Sequence, residues 1–152
     1  MRELSNDLRE FVHLLNAKKV SYVLVGAWAV AFHARPRYTG DMDFFVESSA
    51  ENAGRLMDVI EDFGFGGSGI EAADFLQADR VIQLGRVPNR VDLLTGISGV
   101  SFEDAWAGRV MASLAGVEVP IIGREHLIRN KRAANRVKDR ADVEWLERTR
   151  VC

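Results

Sequence analysis

Two stretches of the sequence decide the fold: Val23-Leu24-Val25-Gly26-Ala27-Trp28-Ala29 and Asp41-Met42-Asp43-Phe44-Phe45-Val46. The first is a β-rich apolar run that reaches a glycine and continues into good helix formers, which predicts a strand over 20–25 and a helix over 27–34. The second alternates acidic and apolar residues before it becomes fully apolar, as a strand entering a core does. We therefore predict a strand, a helix and a second strand that begins with two carboxylates.

The acidic start of the second strand is the first candidate for chemistry. Successive side chains on a strand point to opposite faces, so Asp41 and Asp43 share a face while Met42 turns toward the core. Two bare carboxylates about 4 Å apart repel by roughly 4 kcal/mol at an effective dielectric near 20, so a cation is the expected occupant. An isolated Asp-x-Asp is more often a turn or a surface pair, but the strand and helix before it favour a metal site here.

A third carboxylate comes from later in the chain. The segments 80–84 and 90–94 have the pattern of two strands joined by a turn, and Asp92 lies in the second of them. If that strand lies next to the acidic strand, Asp92 joins Asp41 and Asp43 in one site. Three oxygen ligands suit Mg²⁺, with Mn²⁺ as a second candidate, because Mg²⁺ takes a few carboxylates and completes its octahedron with water and phosphate oxygens.

The remaining segments predict helices and one further strand. Apolar spacing indicates a helix over 4–18, and Ser48 begins a capping-box helix over 48–63. Pro120 places the strand over 117–122 at a sheet edge, because proline cannot donate to a ladder. Further helices are predicted at three places: from Ser101, over 124–134, and from about 139.

Composition and charge limit the class of protein. The 152 residues are 47% hydrophobic, which suits one domain, 1–152, with a proper core. The longest uncharged stretch, between Lys19 and Arg35, is shorter than the roughly 18 residues that cross a bilayer, and the first residues lack a signal-peptide pattern, so we expect a cytoplasmic protein. The only cysteine, Cys152, excludes a disulfide framework. From Arg124 onward nine Lys or Arg stand against five Asp or Glu, which suits either a phosphate-bearing partner or a solvated helix face.

The order of these motifs resembles the DNA polymerase β-like nucleotidyltransferase superfamily. The signature of that superfamily is an apolar strand, Gly-Gly or Gly-Ser, a helix, Asp-x-Asp or Asp-x-Glu, and a later acidic residue on a strand. This chain has Gly26-Ala27, Asp41-x-Asp43 and Asp92 in that order. Its late stretch, Lys131-x-Ala133-x-x-Arg136-x-Lys138-Asp139-x-x-Asp142, is similar to minimal bacterial nucleotidyltransferases, among them relatives of the abortive-infection toxins of the AbiEii type. The resemblance implies an α+β nucleotidyltransferase fold: a small mixed β-sheet flanked by helices, with the helices from about 124 packed on the core.

The resemblance also implies an activity. The chain would transfer a nucleoside monophosphate from a nucleoside triphosphate such as ATP to a hydroxyl group of RNA, protein or a small molecule, with metal ions held by Asp41, Asp43 and Asp92. The implied nucleotide-binding residues are Gly26, Ala27, Arg37, Thr39, Lys131, Arg136 and Lys138. Ala27 departs from the usual Gly or Ser, which leaves only backbone N–H groups to contact a phosphate there. The implied partners are a tRNA or protein acceptor and a cognate antitoxin or second copy of the chain, but no membrane.

Some of these residues have a second interpretation. For the cations of the late motif, a salt bridge with Asp139 or Asp142 is the alternative to phosphate binding, and Lys131 is the one that we favour for phosphate. Arg37 and Thr39, just before the acidic strand, either contact phosphate or shape the turn.

Two other functions also fit the sequence. A nucleotide-sensing or partner-binding module of the same fold would keep the site without turnover, and a sugar transferase would use Asp-x-Asp for a nucleotide-sugar diphosphate but generally needs a larger chain. The stretch Gly64-Phe65-Gly66-Gly67-Ser68-Gly69 matches Gly-x-Gly-x-x-Gly, yet it follows a predicted helix instead of a strand, so we expect a loop. His13, His33 and His126 have no metal-ligand spacing.

Overall fold

The computed structural model of the protein describes residues 4–36 and 39–149, and the fold is given for these residues. The helices are α1 (Asn6–Ala17), α2 (Gly26–His33), α3 (Ala50–Ile60), α4 (Phe102–Ala107), α5 (Arg124–Ala134) and α6 (Val137–Arg148). The strands are β1 (Tyr22–Val25), β2 (Asp41–Val46), β3 (Val81–Leu84), β4 (Arg90–Leu94), β5 (Val110–Leu114) and β6 (Val117–Ile121). A π-helical turn at Glu61–Phe65 and a 3₁₀ helix at Ala72–Leu76 follow α3.

The strands form a mixed sheet in the order β3-β4-β2-β1-β6-β5. The pairs β1–β2, β3–β4 and β5–β6 are antiparallel, whereas β2–β4 and β1–β6 are parallel. This confirms the predicted α+β fold with a small mixed sheet flanked by helices. Among the described residues, no helix is both long enough and apolar enough to cross a membrane.

The strand, glycine and helix around Gly26 form as the sequence predicts. Every residue of β1 is buried, which is why this run carries no charged side chain. Gly26 has φ +69°, a left-handed conformation that glycine adopts without a Cβ penalty, and α2 begins directly at this residue. The helix ends at His33, before Arg35-Pro36, where the sequence predicts its end. The start of α2 therefore lies at the end of the sheet where β1 terminates.

The acidic strand lies in the middle of the sheet. In β2 the apolar side chains are buried, whereas Asp41 and Asp43 at its start are only partly buried. Its parallel neighbour β4 places Asp92 directly opposite Asp43. β4 reaches this position as the second strand of the predicted hairpin, whose turn covers 85–89. The prediction that Asp92 lies beside the aspartate pair is confirmed.

Helices cover the sheet with their apolar faces. The buried face of α1 consists of Leu8, Phe11, Val12 and Leu15. Each such side chain contributes roughly 1.5–3 kcal/mol relative to an exposed position. Ser5 caps this helix, because its Oγ accepts a hydrogen bond from the Leu8 N–H at 3.2 Å. At the other end of the chain, Leu127, Ile128 and Leu146 bring α5 and α6 into the same core.

The predicted cap of α3 is wrong by one residue. Ser49, not Ser48, accepts the hydrogen bond from the Asn52 N–H, at 3.2 Å. The hydroxyl of Ser48 instead donates to the carbonyl oxygen of Phe75 at 2.6 Å, which ties α3 to the 3₁₀ helix. Either serine can serve as an N-cap, and the glutamate three residues after Ser48 favours the wrong one, so only the tertiary contact to Phe75 distinguishes them.

The prediction that the strand with Pro120 lies at an edge is also wrong. β6 lies between β1 and β5, and the edges of the sheet are β3 and β5. β6 meets β1 where Ile121 lies opposite Leu24, one residue past the proline, so this contact does not require an N–H from Pro120. The edge strand β5 is absent from the sequence prediction because, of its residues, only Leu114 is buried, which leaves no apolar alternation to detect.

Candidate active site

A cavity of about 930 Å³ opens at the end of the sheet that is formed by the last residues of β1 and the first residues of β2 and β4. The junction of α5 and α6 forms the facing wall, and the β3–β4 hairpin extends the cavity to one side. The predicted site residues that line it are Gly26, Ala27, Thr39, Asp41, Asp43, Asp92, Lys131, Arg136 and Lys138. Arg37, which was also predicted, lies outside the described residues.

Three carboxylates converge in this cavity. Asp41, Asp43 and Asp92 each offer one oxygen, and these three oxygens lie within 4.8 Å of one another. The convergence follows from two features of the sheet: alternate residues of β2 share a face, and the parallel register with β4 pairs Asp43 with Asp92. Within the described part of the chain, no other group of three His, Cys, Asp or Glu side chains is close enough to hold a metal ion.

Gly26 has a structural role besides the predicted binding of nucleotide. The carboxylate of Asp43 occupies the space into which a Cβ on Gly26 would project. Gly26 is therefore needed, first of all, to make room for Asp43. The backbone of Gly26 and Ala27 still lines the cavity beside that carboxylate.

The three carboxylates differ in the pKa that their surroundings impose. Burial raises the pKa of Asp43 to about 7, and the charges of Asp41 and Asp92 contribute to this rise. Burial also raises the pKa of Asp92. Burial acts in the same direction on Asp41, but hydrogen bonds from Thr39 and Arg90 outweigh it and hold the pKa of Asp41 below its usual value. Asp43 is therefore the carboxylate with the least compensation for its negative charge.

Arg90 binds two of the three carboxylates. Its Nη2 lies 2.6 Å from Asp41 Oδ2, and its Nε lies 3.0 Å from Asp92 Oδ1. Nη2 also donates to Asp92 Oδ2 at 3.2 Å, so a single nitrogen joins both side chains. The position of Arg90 at the start of β4, opposite Asp41 in the ladder, brings the guanidinium to this place.

The α5–α6 junction contains a buried charge network. The side chain of Lys131 is 7% exposed, and its Nζ lies 3.3 Å from Asp139 Oδ1 and 3.3 Å from Asp142 Oδ2. Arg136, which caps α6, adds an ion pair of 2.6 Å from its Nε to Asp139 Oδ2. The salt-bridge interpretation therefore holds for Lys131 and Arg136, although both also line the cavity, as does the exposed Lys138. α6 begins at Val137, slightly earlier than predicted, because this network caps its first turn.

Thr39 forms a hydrogen bond with the carboxylate of Asp41. Its hydroxyl donates to Asp41 Oδ1 at 2.8 Å, which shapes the turn into β2 and fixes the orientation of the carboxylate. Of the two interpretations offered by the sequence, this contact supports the one in which Thr39 shapes the turn.

Other motifs of the sequence lie away from the cavity. The glycine-rich stretch 64–69 follows α3 and forms a loop, as predicted, with Gly64 at φ +98°. His13 is exposed on α1, and His33 Nε2 lies 2.7 Å from the carbonyl oxygen of Ile122. Burial lowers the pKa of His33.

The donor set of the cavity fits a divalent cation. It consists of oxygen atoms, which hard ions such as Mg²⁺ and Mn²⁺ prefer. Arg90 donates hydrogen bonds to Asp41 and Asp92 and, among the described contacts, none to Asp43, so this partly buried carboxylate has negative charge that a metal ion would neutralise. Asp41, Asp43 and Asp92 are the residues that would hold it.

Sequence reasoning overlooked Arg90 and underestimated the two aspartates that surround Lys131. Arg90 gives a signal in retrospect, because it is two residues from Asp92 on one strand and therefore shares a face with it. Asp139 and Asp142 appeared only as alternatives for pairing, although both are almost completely buried around Lys131. Burial of this kind depends on α5 and α6 folding against each other, which local sequence does not reveal.

Comparisons with known structures identify the fold. The chain is similar to the lincosamide antibiotic adenylyltransferase LnuA in its lincomycin-bound structure, with 13% identity, a TM-score of 0.59, and coverage of 99% of this chain and 100% of that one. It is similar to ANT(2'')-Ia in complex with adenylyl-2''-tobramycin, with 14% identity, a TM-score of 0.57, and coverage of 91% and 84%. A third match, to TM1012 of Thermotoga maritima, which is assigned as a nucleotidyltransferase, has 16% identity, a TM-score of 0.59, and coverage of 93% and 91%. The sequence matches no protein-family model and no curated protein. The fold of this chain is the nucleotidyltransferase fold.

Proposed function

We propose that the protein is a metal-dependent nucleotidyltransferase that moves a nucleoside monophosphate from a nucleoside triphosphate to a hydroxyl group of a small molecule. The observation that carries this proposal is the convergence of Asp41, Asp43 and Asp92, within 4.8 Å, at the head of α2. The α5–α6 wall of the same cavity supplies the cations Arg136 and Lys138.

The carboxylates bind the metal and the acceptor. A bound divalent ion would supply charge neutralisation for the triphosphate and for the acceptor hydroxyl. Asp41, Asp43 and Asp92 would hold it, and Asp92 would also take the hydroxyl proton, a role that its raised pKa suits. The acceptor oxygen then forms a bond to the α-phosphorus, the bond from that phosphorus to the β-phosphate oxygen breaks, and pyrophosphate leaves.

The triphosphate binds between two sources of positive charge. Backbone N–H groups at the start of α2, from Gly26 and Ala27, face an anion on one side, because the first N–H groups of a helix have no partner within it. Lys138 and Arg136 approach from the α6 side. Lys131 has a different role, because it is buried against Asp139 and Asp142 and holds the wall of the cavity in place.

The acceptor side of the cavity favours a small molecule. The extension along the β3–β4 hairpin is lined by Asp79, Gln83 and Ser98 and carries no Lys or Arg, among the described residues, apart from Arg90, which is paired with aspartates. Such a surface provides little electrostatic binding energy for a polyanion such as tRNA. LnuA binds lincomycin and ANT(2'')-Ia binds adenylyl-2''-tobramycin, which supports the same class of acceptor here.

The test is a transfer assay with α-³²P-labelled nucleoside triphosphates and Mg²⁺ or Mn²⁺. Hydroxyl-bearing antibiotics, tRNA and a protein extract are offered as separate acceptors, and we expect label in the first class alone. Asp43→Asn should abolish transfer, whereas Asp58→Asn, an exposed change on α3, should not. Label in tRNA or protein would show that this macromolecule, and not a small molecule, is the acceptor. Tight nucleotide binding without any transfer would instead support the sensing module.

The narrower resemblance to AbiEii-type proteins adds a prediction of a different kind. A toxin–antitoxin role, with an antitoxin or a second copy of the chain as partner, stays a prediction from the late motif of the sequence. Co-expression with a neighbouring open reading frame, with cell growth as the readout, tests it independently of the transfer assay.

A further inference from the structure

Arg90 lies where a cation that bridges Asp41 and Asp92 would lie. Its Nη2 contacts Asp41 Oδ2 at 2.6 Å and Asp92 Oδ2 at 3.2 Å, and its Nε contacts Asp92 Oδ1 at 3.0 Å. Charge-assisted hydrogen bonds of this length are among the stronger polar interactions in proteins. A metal ion and a guanidinium nitrogen cannot both bridge the same pair of oxygens.

The backbone holds Arg90 in this position. The residue lies opposite Asp41 in the β2–β4 ladder, and it shares a strand face with Asp92. With the two carboxylates in fixed places, the guanidinium needs no rearrangement to bind them both. Its side chain is still 31% exposed, so it also borders the cavity in which the triphosphate would bind.

The charges of the site balance with one divalent ion. Three ionised carboxylates carry three negative charges, of which Arg90 neutralises one, and a single divalent ion neutralises the other two. A second divalent ion placed between Asp41 and Asp92 would have to compete with three hydrogen bonds from Arg90. Asp43, which Arg90 does not contact in the described structure, is the carboxylate that is open to the ion.

We propose that the guanidinium of Arg90 takes the place of one of the metal ions that the resemblance implies, so that the site binds a single divalent ion with its nucleotide. This inference rests on the proposed function for the presence of a metal-bound nucleotide. Arg90 is then a positioning residue that holds Asp41 and Asp92 together, while Asp43 anchors the single ion.

Ion counting tests the inference without catalysis. Bound Mn²⁺ is measured by electron paramagnetic resonance in the presence of a saturating α,β-methylene ATP analogue, which cannot release pyrophosphate. We expect one ion per wild-type chain and two per chain in Arg90→Gln, because the guanidinium no longer blocks the second position. Arg86→Gln, an exposed change in the turn of the same hairpin, should retain one. Circular dichroism verifies that each variant is folded.

The outcomes separate this inference from the proposed function. Two ions in the wild type, or one ion in a folded Arg90→Gln, would overturn the role of Arg90 even if nucleotide transfer is observed. If Arg90→Gln does not fold, the wild-type count decides, and Arg90→Lys, which keeps one positive charge, should also bind one ion. Binding of no ion by any form would overturn the inference together with the metal dependence of the transfer reaction, whereas absent transfer with the expected counts would overturn only the proposed function.

Discussion

Asp43 Oδ2 occupies the space into which a Cβ atom on Gly26 would project. The two residues come from neighbouring segments, because β1 pairs antiparallel with β2 and Val25 lies opposite Asp43, so the missing side chain of Gly26 makes room for the carboxylate. This contact joins the start of α2 to the acidic strand and holds the proposed nucleotide and metal sites together.

The first prediction concerns Gly26→Ala. The added methyl group must displace Asp43, and alanine at φ +69° is strained, so we expect a loss of roughly 1–3 kcal/mol in the free energy of unfolding. The increase in melting temperature that we expect Mg²⁺ to confer on the wild type should also disappear. Gly54→Ala is the matched control, because a Cβ there meets nothing within 4 Å and the residue is helical, and it should be neutral or slightly stabilising. Equal stability of the two variants would contradict the assignment.

The second prediction concerns the pH dependence of stability without divalent ions. Because the pKa of Asp43 is raised from 3.8 to about 7, ionisation of this carboxyl group costs folding free energy as the pH rises through that interval. Asp43→Asn removes the cost, so with EDTA the variant should be more stable than the wild type by roughly 2–4 kcal/mol at pH 8 and by much less at pH 4. Urea unfolding at both pH values measures the difference. A difference that does not change with pH would show that Asp43 has an ordinary pKa.

The third prediction concerns Lys131→Met. The change leaves the buried carboxylates of Asp139 and Asp142 without their central cation, and we expect destabilisation of roughly 3 kcal/mol or more. Lys138→Met, on the exposed start of α6, should change stability by less than about 0.5 kcal/mol. Denaturant unfolding compares the two proteins. If Lys131→Met were fully stable and only weakened nucleotide binding, its main partner would be phosphate, not the two aspartates.

The fourth prediction concerns Lys138→Gln in the proposed reaction. Loss of one charged contact to the triphosphate should raise the KM for nucleotide about tenfold, with little effect on kcat. Arg140→Gln is the control, because Arg140 is exposed on the same helix and is not part of the cavity wall. Steady-state kinetics with varied nucleotide distinguish the two. An equal KM in both variants would exclude Lys138 from the nucleotide site.

Local sequence was sufficient to predict the centre of the fold. Each of two signals lies within a few neighbouring residues: the apolar run that ends at Gly26, and the alternation of Asp41, Met42 and Asp43. Together they specify a strand, a helix and an acidic strand without reference to the rest of the chain. Asp92 was recognisable in the same way, because its apolar neighbours mark it as part of a strand. Local sequence did not identify the capping serine of α3, since Ser48 fits the capping box but Ser49 is the residue that caps the helix.

Contacts between distant segments decided the rest. The interior position of β6 depends on β1 and β5 lying on its two sides, so Pro120 was a misleading guide to its place in the sheet. The pairing of Arg90 with Asp41, and the burial of Lys131 between Asp139 and Asp142, arise only when strands and helices pack. The residue types and their order along each strand thus determined that a carboxylate site exists, because side-chain direction in a strand is a local property. Which positive charges neutralise that site was decided by the tertiary structure, because ion pairs depend on distances in space between segments far apart in the chain.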